Sequence, residues 1–187
     1  MATFSPRHHD ARVRTSLAAR ADTLLVHCGR LFPERHPERS IDTVAALRDA
    51  GHRVRLVAAG DGPRRAALER RAAGRPVTFV GFVPNRARLA TLLASADVSL
   101  APGPRETFGL SALEALASGT PVVVSASSAL PEIVVGSGAS ALLPGSLRRR
   151  RRHADGRGRV RAPWRRPRPQ FGWPESVARM LETLRAA

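Results

Sequence analysis

The sequence predicts an α/β fold in which a parallel sheet is wound doubly and covered by helices on both faces. Two observations carry that prediction. Short apolar runs, the first three stopped by glycine, alternate with segments whose apolar residues recur at helical spacing. Strands that alternate with helices of about ten residues imply a parallel sheet covered on both faces.

The elements follow in order. Asp22 to Cys28 (DTLLVHC) is a strand stopped by Gly29. Pro37 to Ala50 places Ile41, Val44, Ala45 and Leu47 on one helical face, with Pro37 at its start and Gly51 just past its end. Arg53 to Ala59 is a second strand, closed by Gly60-Asp61-Gly62. Pro63 to Ala73 is a basic helix, and Val77 to Val80 is a third strand. Asn85 to Ser95 carries Leu89, Leu92 and Leu93 on one helical face, and Asp97 to Ala101 is a fourth strand. Phe108 to Ser118 is a helix, Pro121 to Ser125 a fifth strand, and Ala139 to Leu143 a sixth. The outcome is one Rossmann-like sheet over residues 22–145, whose ligand belongs at the carboxyl ends of its strands. Residues 1–21 read as a linker-like lead-in, and residues 170–187 as a C-terminal helix with Val177, Met180, Leu181 and Leu184 in register.

Composition bounds the remainder. A chain of 187 residues buries a core without staples, and one cysteine, Cys28, excludes a disulfide framework and a cysteine-based zinc cluster. Cys28 itself reads as a small core residue. The formal charge is +16, and every one of the 31 basic residues is arginine. Arg148 to Arg168 holds 11 arginines against one acid, Asp155, so much of the basicity belongs to one tract. That Arg/Pro/Gly-rich stretch, 146–169, reads as disordered. It offers electrostatic attraction to an anionic membrane or to nucleic acid, and the alternative function is a non-enzymatic basic module that binds either through this tract. Only Trp164 interleaves with it, so it gives no stacking platform, and specific nucleic-acid binding is not expected. No apolar stretch is long enough to span a bilayer, and Met1 to Asp10 lacks an apolar signal core. The expected location is cytoplasmic, peripheral on the inner face of the plasma membrane.

The chemistry concentrates in Ala101 to Ser125 (APGPRETFGLSALEALASGTPVVVS). Glu106 lies in the turn after a strand, Thr107-Phe108-Gly109 open a helix, and Glu114 lies within it. A helix N-terminus presents unpaired N–H groups and suits a phosphate. Side chains lean toward the helix N-terminus, so Glu114 is able to reach back toward the same ligand. Two carboxylates beside an anion site make sense as acceptors of hydroxyl hydrogens, as on a sugar joined to a nucleoside diphosphate. Gly29-Arg30-Leu31-Phe32-Pro33-Glu34-Arg35 follows another strand, so Arg30 and Arg35 are placed to grip that diphosphate. Gly81-Phe82-Val83 follows a third, with room for a base against its backbone. The plainer alternatives are surface charges for Arg30 and Arg35, a solvated acid for each glutamate, and core positions for Phe108 and Leu113. No Gly-x-Gly-x-x-Gly or Walker pattern occurs, and the histidines show no metal-ligand spacing.

On GRLFPER (29–35), AGDGP (59–63), FVGFVP (79–84), ETFGLSALE (106–114), GTPVVVS (119–125) and LPEIV (130–134), the chain resembles the C-terminal, donor-binding half of glycosyltransferase family 4 enzymes of GT-B fold. Its texture is most similar to actinobacterial GDP-mannose-dependent mannosyltransferases acting on phosphatidylinositol mannosides or related lipids. The resemblance implies that Glu106 binds donor-sugar hydroxyls and Glu114 the ribose. It implies that Arg30 and Arg35, with the N–H groups of Phe108, Gly109 and Leu110, hold the diphosphate, while Thr107 and Gly29 line the site and Val83 flanks the base. It also implies transfer with retention, from a nucleoside-diphosphate sugar such as GDP-mannose to a lipid or glycan acceptor. No Asp-x-Asp occurs, so no metal cofactor is expected. Three departures accompany the likeness. Arg35 stands where the family usually has lysine. The acceptor-binding N-terminal domain, with its catalytic histidine, has no counterpart here, so the expected state is an incomplete enzyme, inactive alone. Residues 146–169 do not follow the family, and their composition is what a compensated double frameshift in GC-rich DNA leaves; translating the two alternative reading frames tests that.

Overall fold

A computed structural model describes residues 3–106, 108–131, 140–143 and 181–182. Six strands, β1 (Thr23–Cys28), β2 (Val54–Ala59), β3 (Val77–Gly81), β4 (Val98–Ala101), β5 (Val122–Ser125) and β6 (Ser140–Leu143), form one sheet in the order β3-β2-β1-β4-β5-β6. Every neighbouring pair is parallel. The order reverses between β1 and β4, and in such a sheet the crevice for a ligand opens at the carboxyl ends of those two strands. Cys28 pairs in register with Ala59, and Val26 with Ser99, so the loops after β1, β2 and β4 leave the same edge.

Alternate residues of each strand feed two separate cores. Leu25, Leu56, Val98, Leu100 and Val123 face α2 (Pro37–Asp49) and α3 (Arg65–Arg71), meeting Ile41, Val44, Leu47 and Leu68. Leu24, Val26, Val57, Val122 and Val124 face α4 (Arg86–Ala94) and α5 (Leu110–Ala117), meeting Ala90, Leu93, Ala112 and Ala115. All but Leu47, Leu68, Leu100 and Ile41 of these are completely buried, and those four are within 2 % of it. Each large aliphatic side chain so buried stabilises the fold by about 1.5–3 kcal/mol. The small residues on α4 and α5 let both helices sit close to the sheet.

Local chemistry sets the helix starts. Pro37 stands at the first position of α2, where its missing N–H costs nothing. Asn85, the only asparagine, caps α4 by accepting the Arg88 N–H at 3.0 Å. Helix α5 opens at Leu110 rather than Phe108, because Gly109 sits in the left-handed region (φ 67°) and breaks helical geometry ahead of it.

The lead-in differs from the linker that the sequence suggests. Pro6–His8 forms a 3-10 turn and Ala11–Leu17 forms α1, capped by the Asp10 carboxylate. Long-range contacts hold this segment down: the Asp10 N–H donates to Ser95 Oγ at 3.0 Å, Arg14 pairs with Asp97 at 2.9 Å, and Phe4 and Ala18 join the α4/α5 core. The sequence misses it because its apolar residues show no period and its partners lie far along the chain. Residues 146–169 lie outside the described residues. Of the predicted C-terminal helix only Leu181 and Glu182 are described; both are helical, and Leu181 is buried in the α2/α3 core. Among the described residues no helix is long and apolar enough to cross a membrane.

Candidate nucleotide-sugar site

The loops at the carboxyl edge enclose a cavity of about 630 Å³. It is lined by Gly29, Arg30 and Arg35 after β1, Val83 and Phe82 after β3, Glu106 after β4, and Phe108, Gly109, Leu110 and Glu114 at the start of α5. The structure thus brings to one cavity every site residue expected from the sequence except Thr107, which lies outside the described residues.

Glycines let the loops close around it. A Cβ on Gly60 would overlap the Gly29 carbonyl, and one on Gly62 would stand 2.7 Å from the Leu31 oxygen. The β1 and β2 loops are therefore laced backbone to backbone: Gly29 N–H donates to the Ala59 carbonyl at 2.9 Å, and Leu31 N–H to that of Asp61 at 2.9 Å. A Cβ on Gly103 would stand 3.3 Å from the Arg35 Cα, a looser approach that sets the β4 loop against the 3-10 turn Pro33–Arg35. Arg35 is delivered across the crevice by that turn. Arg30 is exposed, its guanidinium 5.1 Å from the Phe32 ring centre, which limits its wandering.

Glu106 and Glu114 each have an arginine partner. Glu106 accepts the Gly109 N–H through Oε1 at 3.2 Å and pairs through Oε2 with Arg35. Its carboxylate thus spans the mouth of α5 and a guanidinium, the two features suited to a phosphate. Glu114 accepts from Arg86 Nη2 at 3.1 Å. Arg86 lines the cavity and was not among the residues that the sequence singles out; its link to Glu114 is 28 residues long, and only its place beside the Val83 loop hints at it.

Phe108 corrects an expectation. It is 61 % exposed rather than core, and with Phe82 (72 %) and Leu110 (62 %) it gives the cavity an apolar rim. The helix starts two residues later than the spacing assumed, so Phe108 is not on its buried face. Leu113 is half-buried. Beneath Gly109 lies Leu130, completely buried; a Cβ on Gly109 would overlap its side chain.

Two groups beside the cavity are perturbed by burial. His27 is held neutral, its pKa lowered to about 4 by desolvation first. Its Nδ1 lies 3.0 Å from Ser40 Oγ. Cys28 is half-buried at the cavity wall rather than wholly in the core, and its thiol is pushed up to about 11 by burial and then by the Glu114 charge. Among the described residues no three His, Cys, Asp or Glu side chains gather as a metal site requires.

Comparison with known proteins places these features in context. Residues 22–147 match the family described as glycosyl transferases group 1. The chain is 50 % identical over 198 residues to a GDP-mannose-dependent alpha-(1-6)-phosphatidylinositol dimannoside mannosyltransferase of Mycobacterium tuberculosis, covering 98 % of this chain and 49 % of that protein. It is 33 % identical over 134 residues to the sulfoquinovosyl transferase SQD2 of Arabidopsis thaliana, covering 71 % of this chain and 25 % of that one. The chain therefore spans about half, or less, of the length of these relatives. Among solved structures, the C-terminal domain of a glycosyl transferase group 1 family protein (LpcC) from Francisella tularensis superposes with a TM-score of 0.63 at 19 % identity, covering 98 % of this chain and 88 % of that one. That likeness shows the shared fold.

Proposed function

Since the chain belongs to the glycosyl transferases group 1 family, we propose that its crevice binds a nucleoside-diphosphate sugar, GDP-mannose by preference, as the donor half of a retaining mannosyltransferase. The observation that carries this reading is the convergence of two guanidinium groups, a helix N-terminus and two carboxylates on one cavity at the strand-order reversal. The preference for GDP-mannose rests on the mycobacterial relative, whose name specifies that donor.

In this reading the diphosphate lies between Arg35 and the first turn of α5, with Arg30 closing over it. The N–H groups of Phe108, Gly109 and Leu110 donate to its oxygens, and together with the arginines they stabilise the charge that develops as the sugar leaves. Glu106 releases Arg35 and accepts from the sugar's hydroxyls. Glu114 accepts from the ribose, and Val83 flanks the base. Transfer needs the acceptor held against the sugar by a second half. The 187-residue chain alone is therefore expected to bind the nucleotide without appreciable transfer. The relative's name specifies phosphatidylinositol dimannoside, a lipid, which favours work at a membrane surface. There the arginines of 148–168 would add attraction to anionic lipid.

Titration calorimetry with GDP, UDP and GDP-mannose tests this. Expected is one site per chain, GDP tighter than UDP, and loss of GDP binding in Glu114→Ala. A well-folded chain that binds neither nucleotide would refute it.

A further inference from the structure

Arg86 is a charged group at the cavity to which the sequence motifs assign no role. It is the first residue of α4. Its Nη2 donates to Glu114 Oε1 at 3.1 Å, and its guanidinium carbon stands 4.9 Å from the centre of the Phe4 ring. The two contacts differ in kind. Phe4 is 9 % exposed and anchored in the α4/α5 core, so its face is a fixed floor for a planar cation. Glu114 is only 15 % exposed, a setting in which an unpaired carboxylate is costly. Arg86 offsets that cost from one side and occupies one carboxylate oxygen. The described residues offer no hydrogen-bond partner to Oε2, and that atom is not among the buried, unpartnered ones.

We propose that Arg86 is the positioning residue for Glu114: seated on Phe4, it fixes one carboxylate oxygen so that the other is presented to a ribose hydroxyl of the nucleotide. This rests on the nucleotide reading above and deepens it at the nucleoside end of the crevice. The Arg86 side chain is 64 % exposed, so its hold on Glu114 depends on the Phe4 ring beneath it, which limits the rotamers that it samples. The guanidinium engages Glu114 through one nitrogen, so a lysine at 86 keeps the charge but loses the planar stack and restores the function only in part.

The test separates ribose recognition from mere stability. Wild type, Arg86→Met, Arg86→Lys and Glu114→Ala are titrated with GDP, 2′,3′-dideoxy-GDP and inorganic pyrophosphate, and melting is followed for each. Wild type is expected to prefer GDP over the dideoxy analogue. Arg86→Met is expected to bind GDP roughly tenfold more weakly, the scale of one charge-assisted hydrogen bond. It should bind pyrophosphate as wild type does and should no longer prefer the hydroxylated nucleotide. Arg86→Lys should recover part of that preference. An Arg86→Met variant that keeps the full preference overturns the proposal. So does one that weakens all three ligands equally, which marks a structural role. Wild type that binds both nucleotides equally removes the ribose role of Glu114, and this proposal with it, while leaving nucleotide binding intact. Wild type that binds neither overturns the parent reading too.

Discussion

Glu106→Gln is expected to tighten the binding of inorganic pyrophosphate, the opposite of what removing a binding residue ordinarily does. The Glu106 carboxylate engages Arg35 and the Gly109 N–H, the two groups that the proposed reading assigns to the diphosphate. On the proposed reading it is a tethered anion that an incoming diphosphate has to displace. The pair is partly shielded, with side chains 27 % and 15 % exposed for Arg35 and Glu106. That places its worth at about 1–2 kcal/mol, between an exposed ion pair and a well-formed charge-assisted hydrogen bond. Glutamine keeps the shape and a carbonyl acceptor but drops the charge, so pyrophosphate should bind roughly 5- to 30-fold more tightly. The same change weakens recognition of sugar hydroxyls, so the preference for GDP-mannose over GDP should shrink. Calorimetry at one fixed, low salt concentration reads both quantities. Weaker pyrophosphate binding in Glu106→Gln would refute the reasoning, because it would mean that Glu106 orients Arg35 for phosphate instead of competing with it.

The remaining predictions concern stability and reactivity. Gly109→Ala combines a left-handed φ of 67° with overlap against Leu130, so it should cost at least about 2 kcal/mol and lower Tm by roughly 4–8 °C. Gly51→Ala, with φ 84° and open space around its Cβ, should cost only the backbone part, and equal losses in the two variants would contradict the packing argument. His27 has a folded pKa of about 4 against 6.5 unfolded, so below 6.5 the unfolded chain binds the extra proton. Its contribution is thus complete above pH 6.5 and is lost as pH falls toward 4, by about 3 kcal/mol in all. The comparison is Tm at pH 7.5 and at pH 5 in wild type and His27→Gln; an equal acid sensitivity in both would sink it. The Cys28 thiol should alkylate slowly at pH 8, faster only as pH rises toward 11, and GDP should protect it. Fast labelling that is indifferent to GDP would contradict its place in the wall.

Much of the fold was legible because its strands are short, mostly apolar runs and its helices carry their own punctuation. Pro37, Asn85 and the glycines after β1 and β2 mark element ends to within a residue or two. The order of strands was not legible, since register comes from pairings such as Cys28 with Ala59 that no local pattern encodes. Glu106, Glu114, Arg30 and Arg35 could be placed on one edge because each follows a strand of a parallel sheet. Phe108 went astray because helical spacing was counted from two residues too early. Arg86 and Phe4 were invisible for a different reason: their roles are made by contacts across the chain, Arg86 to Glu114 and the ring of Phe4 beneath Arg86.

A crystal structure of the chain with GDP bound would weigh the central claim most directly. The diphosphate is expected in contact with Arg35 and the amides of Phe108 to Leu110, with Glu106 turned away from Arg35 and the ribose against Glu114. A nucleotide seated elsewhere, with the Arg35–Glu106 and Arg86–Glu114 pairs undisturbed, would contradict it.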